Sequence, residues 1–263
     1  ILFVAAVVVI AILLGKNPMT LFAGLGATSA VLMLVFKDTI TGLAAGVRLT
    51  SNDMLHKGDW ITVKSVDANG IVEDMSLTTV KVRNFDNTIV TISPTTLVNG
   101  SFQNWIGMQK SGGRRVKRVV YFDFRSVRLV DETLKCTLLT KHFATEDSFK
   151  LKESLQKAID KDIQEGKDIE DLKNPAALAP TNLQLYRKFM EKYLRQRPEV
   201  NTDLTLMVRH MEATQCGLPI EFYFFIKDKV WVNYEHILAD IMEHAYALAN
   251  EFGLKIYEQY PEQ

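Results

Sequence analysis

Cysteine is nearly absent. Cys136 and Cys216 are the only two in 263 residues, and they lie far apart. That excludes a disulfide framework and a cysteine-based zinc site, and it suits a reducing compartment. Neither sign of charge prevails, because 31 lysines and arginines balance 31 aspartates and glutamates. A neutral chain has no bulk attraction for nucleic acid, so nucleic acid is not expected as a partner. The five histidines, His56, His142, His210, His236 and His244, show no metal-ligand spacing. His236 and Asp240 share a helix face and are expected as a surface pair. Phosphate loop, nucleophile elbow and G-x-G-x-x-G turn are all missing, as is any internal repeat. No catalytic residue, cofactor or metal is expected, and the chain does not read as an enzyme.

Charge is also missing from one end, and this makes the chain lopsided. Residues 1–14, ILFVAAVVVIAILL, are wholly apolar. After the break Gly15-Lys16-Asn17-Pro18, residues 21–36 carry no charge. Up to Val47 the only ionisable side chains are Lys16, Lys37 and Asp38. A helix needs about 20 apolar residues to cross a hydrocarbon core. Both runs fall short of that, so the first helix is expected to begin upstream of Ile1. A buried hairpin in a soluble protein is the competing reading. A secretory signal needs a basic start and a small-residue cleavage site, and neither is present. Lys16 stands alone between the runs, whereas Lys37, Arg48, His56 and Lys57 follow the second. This asymmetry places the C-terminal side in the cytoplasm.

The second apolar run has a patterned face. Ala23, Ala27, Ala30 and Leu34 align at helical spacing, and Gly24, Gly26, Thr28 and Ser29 add small side chains around them. Small residues let helix backbones approach closely where lipid removes the hydrophobic drive. Val31-Leu32-Met33-Leu34-Val35-Phe36 then turns bulky. A ring of such helices would pack tightly at one end and narrow to an apolar throat at the other. Packing against a hairpin partner would leave the same stripe. Beyond Phe36, the residues Leu43, Ala44 and Val47 form an apolar stripe suited to a helix lying at the membrane surface, with Gly42 and Gly46 as flexible points. Lys37-Asp38 falls at the cytoplasmic mouth, either as a snorkelling lysine with a helix-end carboxylate or as a charged ring biasing ion passage.

Residues 54–105 alternate as short strands between turn signals. Strands are expected at 60–63, 71–73, 79–83 and 88–92, with turns at Lys57-Gly58-Asp59, Asp67-Ala68-Asn69-Gly70 and Phe85-Asp86-Asn87. Such a small barrel or sandwich has little core of its own, so assembly with its own copies is expected. Further on, strands are read at 115–124, 204–211 and 220–226, with a last one at 254–257. Helices are read at 134–139, 151–163, 181–195 and 234–252, the last with Ile237, Leu238, Ile241 and Met242 inward. This order suggests a ferredoxin-like α+β domain. The basic run Arg114-Arg115-Val116-Lys117-Arg118 alternates on a strand without an aromatic platform, and reads as a solvated face or a lining of an ion path.

The stretch from Gly42 to Trp105 resembles the small-conductance mechanosensitive channel (MscS) family. The resemblance rests on the order and spacing of Gly42-Leu43-Ala44-Ala45-Gly46, Lys57-Gly58-Asp59-Trp60-Ile61, Gly70-Ile71-Val72-Glu73-Asp74, the Thr-Thr-Val-Lys-Val run from Thr78, and Asn104. It implies a membrane helical hairpin with a pore helix and amphipathic helix over 1–53. A small all-β (Sm-like) domain over 54–110 and an α+β ferredoxin-like vestibule domain over 111–263 follow. It implies a homoheptamer in the bacterial inner membrane, in contact with lipid, that opens under tension to pass ions and small solutes on osmotic downshock. Ala23, Gly26 and Ala27 would pack the pore helices, and Ala30, Met33 and Leu34 would form the gate. The chain departs from the family pattern at Ala30, where a bulky residue is usual, and at Asp38, where the kink glycine is usual. The bend is accordingly expected at Asp38, Gly42 or Gly46. Asp86-Asn87 and Pro94-Thr95 are milder departures in loops. The extra middle segment implies a longer, multi-helix subgroup. The competing function is a non-conducting, membrane-anchored oligomeric scaffold.

Overall fold

A computed structural model describes residues 2–15, 17–149 and 180–259. Helix α1 (Leu2–Leu13) is built from the first apolar run. Gly15 ends it at φ +62°, a conformation that L side chains rarely adopt. Asn17 then caps α2 (Pro18–Ser51): its Oδ1 accepts from the Met19 N–H at 2.9 Å, and Pro18 fills the first helical position. At 1.5 Å per residue α2 is about 50 Å long. The two helices pack side by side, and Val7 and Ala11 of α1 are buried.

Strands β1 (Trp60–Val63), β2 (Ala68–Met75), β3 (Val80–Asn84), β4 (Ile89–Ile92) and β5 (Gln103–Asn104) form one antiparallel sheet in the order β4-β3-β2-β1-β5. Period-two patterning sends Ile61, Val63, Val80 and Val82 to one side. There they meet Ala68, Val72, Ile92, Leu55 and Leu97, the last from α3 (Pro94–Asn99). Leu49 of α2 is fully buried in the same cluster. Each such side chain contributes about 1.5–3 kcal/mol on burial. The β3–β4 turn forms as expected: Asp86 accepts from the Thr88 N–H at 2.9 Å and its hydroxyl at 2.7 Å, and Asn87 takes φ 69°. Those Thr88 hydrogen bonds hold the Asp86 carboxyl below its ordinary range. Helix α4 (Ile106–Lys110) follows, and the chain divides into two compact units after Gly107.

The second unit contains β6 (Arg114–Phe122), α5 (Glu132–Thr140), α6 (Asn182–Gln196), β7 (Met207–His210), β8 (Leu218–Ile226) and α7 (Trp231–Glu251). Its three strands pair antiparallel in the order β6-β8-β7. Phe122, Tyr186, Met190, Phe222, Phe224 and Phe252 are fully buried in its core. Tyr186 stacks edge-on against Phe122 at 5.3 Å and Phe252 at 5.6 Å. On α7, Leu238, Ile241 and Met242 are buried as the periodicity predicts, and Ile237 packs at the margin.

Several expectations are corrected. The helix expected at 181–195 forms as α6 and belongs to the core: Thr181 caps it by accepting from the Gln184 N–H at 3.1 Å, and Leu185, Tyr186, Met190 and Leu194 are buried. The last strand at 254–257 is reduced to a single bridge, Phe122 to Ile256, so the described sheet has three strands. The strand expected at 115–124 stops at Phe122, because Asp123 caps a tight turn by accepting from the Arg125 N–H at 2.9 Å. The helix expected at 151–163 lies outside the described residues. His236 and Asp240 form no ion pair; instead His244 Nδ1 lies 2.7 Å from the Asp240 carbonyl oxygen.

Candidate functional site

Among the described residues, α2 is the one helix long and apolar enough to cross a membrane, and no residue of its most apolar 18-residue stretch is buried. Ala23, Gly26, Ala27, Ala30, Met33 and Leu34 are all exposed. Met33 and Leu34 are 71% and 73% exposed, levels normal for surface lysines rather than for large apolar side chains. Ala23, Ala27, Ala30 and Leu34 share a face by helical spacing, while Gly26 and Met33 lie along one flank. Two threonine hydroxyls on this stretch are spent on the helix's own backbone: Thr28 donates to the Gly24 carbonyl at 2.9 Å, and Thr41 to the Lys37 carbonyl at 2.8 Å. The face therefore offers apolar groups and backbone proximity rather than hydrogen-bond donors.

No break in α2 separates a spanning helix from a surface helix. The helix runs through Asp38, Gly42 and Gly46 without interruption. Its last turns are buried along Gly42, Ala45, Gly46 and Leu49, a stripe of i, i+3, i+4, i+7 spacing. Leu43, Ala44 and Val47, the stripe predicted for the membrane surface, lie outside that buried stripe and are exposed, Leu43 by 43% and Val47 by 51%. Gly46 has a packing role. A Cβ there would lie 2.3 Å from the carbonyl oxygen of Leu77, in the β2–β3 turn. Gly42 has no atom within 4 Å of a Cβ and is free of that restriction.

The chain leaving α2 is tied down by a buried carboxylate. Asp59, 6% exposed, accepts from the His56 N–H at 3.0 Å and from Asn104 Nδ2 at 2.8 Å. Asn104 Nδ2 also donates to the Met54 carbonyl at 3.3 Å, and Asn104 Oδ1 accepts from the Ile106 N–H at 2.9 Å. Residues 54–59 are thereby held to β5 and the start of α4. Trp60 and Trp105 stack alongside at 4.8 Å, with the Trp105 indole donating to Thr62 Oγ1 at 2.9 Å. Spacing alone marked Asp59 and Asn104 as motif residues. That they are hydrogen-bonded to each other appears only once β1 and β5 pair.

In the second unit the basic run is more engaged than a solvated face. The Arg114 guanidinium lies over the Tyr234 ring at 4.3 Å, and Lys117 Nζ is 3.6 Å from the carboxylate of Glu221. Glu221 is fully buried and accepts from Arg209 Nε at 2.6 Å. Burial alone would push its carboxyl up; the Arg209 hydrogen bond, with the charges of Arg209 and Lys117, outweighs this and holds it below its ordinary range. Among the described residues no group of three or more His, Cys, Asp or Glu gathers where a metal ion could be held. Cys136 and Cys216 are free and exposed.

Residues 38–107 match the family model described as the β-domain of mechanosensitive ion channels. The small-conductance mechanosensitive channel MscMJ of Methanocaldococcus jannaschii is 33% identical over 90 residues, 34% of this chain and 25% of that one. The large-conductance channel MscMJLR of the same organism is 29% identical over 135 residues, 51% of this chain and 37% of that one. An uncharacterized MscS family protein of Helicobacter pylori is 28% identical over 125 residues, 48% of this chain and 19% of that one. The matched regions thus span well under half of each curated relative. Among solved structures, Arabidopsis thaliana MSL1 aligns over 98% of this chain and 73% of that one, with a TM-score of 0.62 at 11% identity. Helicobacter pylori MscS in its closed state aligns over 95% and 74%, with a TM-score of 0.58 at 14% identity. At such identities the structural likeness establishes the fold: an apolar N-terminal helix, then the β domain and further sheet of an MscS-like chain.

Proposed function

We propose, from the premise that this chain carries the β-domain of the mechanosensitive channel family, that it is a subunit of a tension-gated ion channel. Identical copies of α2 gather about an axis, seven by the family resemblance. Ala23, Gly26 and Ala27 let the helices approach closely, and Ala30, Met33 and Leu34 narrow the lumen to an apolar throat that stops ions by dewetting. The carrying observation is that the uncovered apolar stretch of α2 runs without a break into the β-domain core through Leu49. Stretch favours the state of larger in-plane area, so tension shifts the closed–open equilibrium by differential stabilisation. Gly46 is held against Leu77 and Gly42 opens the buried stripe, which leaves exposed Asp38 as the position where α2 bends without losing packing.

In this reading the protein sits in the bacterial inner membrane with its C-terminal unit in the cytoplasm. That unit acts as a ferredoxin-like vestibule, the Phe122–Ile256 bridge standing where the fourth strand belongs. Ions and small solutes leave through it on osmotic downshock, and no covalent chemistry is performed. Pressure-clamp recording of the full-length protein in liposomes tests the proposal. Leu34→Ser hydrates the throat and lowers the opening tension. An unchanged threshold removes the gate from Leu34. A wild type without any tension-gated current leaves only the membrane-anchored scaffold.

A further inference from the structure

Lys37 and Asp38 are the first charged side chains on α2. Both are exposed, and neither side chain has an ion pair or hydrogen bond among the described residues. Neighbours in sequence, they cannot pair with each other, because adjacent helical side chains diverge by about 100°. Their placement relative to the small-residue face is specific. At about 100° per residue, Lys37 falls about 50° to one side of the line through Ala23, Ala27, Ala30 and Leu34, and Asp38 about 50° to the other. They stand at nearly the same height, separated by one residue's rise of about 1.5 Å.

In a closed ring of parallel helices with that face inward, one flank of each helix meets the opposite flank of the next copy. The chain carries a cation on one flank and a carboxylate on the other, at one level. We infer that Lys37 of each copy pairs with Asp38 of the next, forming a ring of ion pairs just beyond the apolar throat. The interaction surface is self-complementary only for a heterologous, closing contact, so the same two residues select the partner, a second copy of this chain, and the register of α2 against it. This rests on the proposed ring of α2 helices, and supplies its specificity. Apolar small-residue packing by itself allows sliding along the helix axis. A charge pair at one level does not, since a displacement of one turn separates the charges and sets the lysine against apolar side chains.

The test is a charge swap in the full-length protein, read by native mass spectrometry in detergent and by pressure clamp. Lys37→Asp and Asp38→Lys alone each set like charges against each other around the ring, and each is expected to lower the fraction of intact oligomer and shift the opening tension. The double swap restores both. In parallel, carbodiimide coupling of the unmodified protein is expected to join chains through an amide between Lys37 and Asp38, with loss of water, seen as covalent oligomers and as the crosslinked peptide. A double swap no better than the single variants overturns the inference, as does absence of the crosslinked peptide, or ion preference that follows the sign at position 37 while assembly stays unchanged. Such failures with wild-type currents intact leave the channel reading standing. Loss of wild-type currents with the crosslink present sinks the channel reading and leaves the ion-pair ring.

Discussion

Glu221 shows how a single residue's chemistry depends on its strand neighbours. On β8 it faces Arg209 of β7 in register, and Lys117 reaches it from β6. Its carboxyl is held below the ordinary range, so the unfolded chain binds its proton more readily than the folded one. The stabilisation is therefore complete above the unfolded value and is lost as pH falls through the folded one. In urea unfolding, the wild type is expected to exceed Glu221→Gln at about pH 6, with the gap closing below about pH 4. A gap that is constant with pH would assign Glu221 to packing rather than charge. Asn182 is a quieter case. Fully buried, it donates to the carbonyls of Ser126 at 2.8 Å and Phe252 at 3.1 Å, and accepts from the Arg128 N–H at 3.0 Å. Nothing in the sequence around it distinguished it from a loop asparagine, because its partners come from distant segments.

For the elements, α2 is decisive, and its two glycines near the β domain behave oppositely. Replacing glycine by alanine inside a helix ordinarily stabilises by about 0.5–1 kcal/mol. Gly42→Ala has open space and is expected to follow that rule. Gly46→Ala would drive a methyl into the Leu77 carbonyl, and overpacking at about 1–3 kcal/mol outweighs the helix gain. Thermal unfolding should therefore move in opposite directions for the two variants. Leu49→Ala, which empties a fully buried site shared with the sheet, is expected to cost about 2–5 kcal/mol. Equal effects of Gly42→Ala and Gly46→Ala would show that the Leu77 contact does not constrain α2.

At the scale of the whole molecule, one chain leaves too much apolar surface in water. Residues 31–36 are all at least half exposed, more than a soluble monomer carries in one contiguous patch. In the proposed channel, lipid and further copies of α2 cover them. Full-length protein purified in detergent is expected to run as one oligomer of identical chains by native mass spectrometry. A monomer at all detergent concentrations would end the ring arrangement and, with it, the throat.

Periodicity by itself determined most of the elements: the paired apolar runs, the four main strands of the β domain within a few residues, and the inward face of α7. These are local properties, since side-chain spacing selects helix or strand before any distant contact forms. The order of the glycine, aspartate and tryptophan motifs likewise marked residues 42–105 as a unit. Only the tertiary structure decided that α2 continues unbroken past Phe36, that Gly42, Ala45, Gly46 and Leu49 are its buried stripe, and that Leu185, Tyr186, Met190 and Leu194 of α6 join the core of the second unit. Near Gly42–Leu49 two faces of α2 are similarly apolar or small, and which one is covered depends on where the β2–β3 turn presents its surface. That is set, like the core around α6, by contacts between residues far apart in the chain.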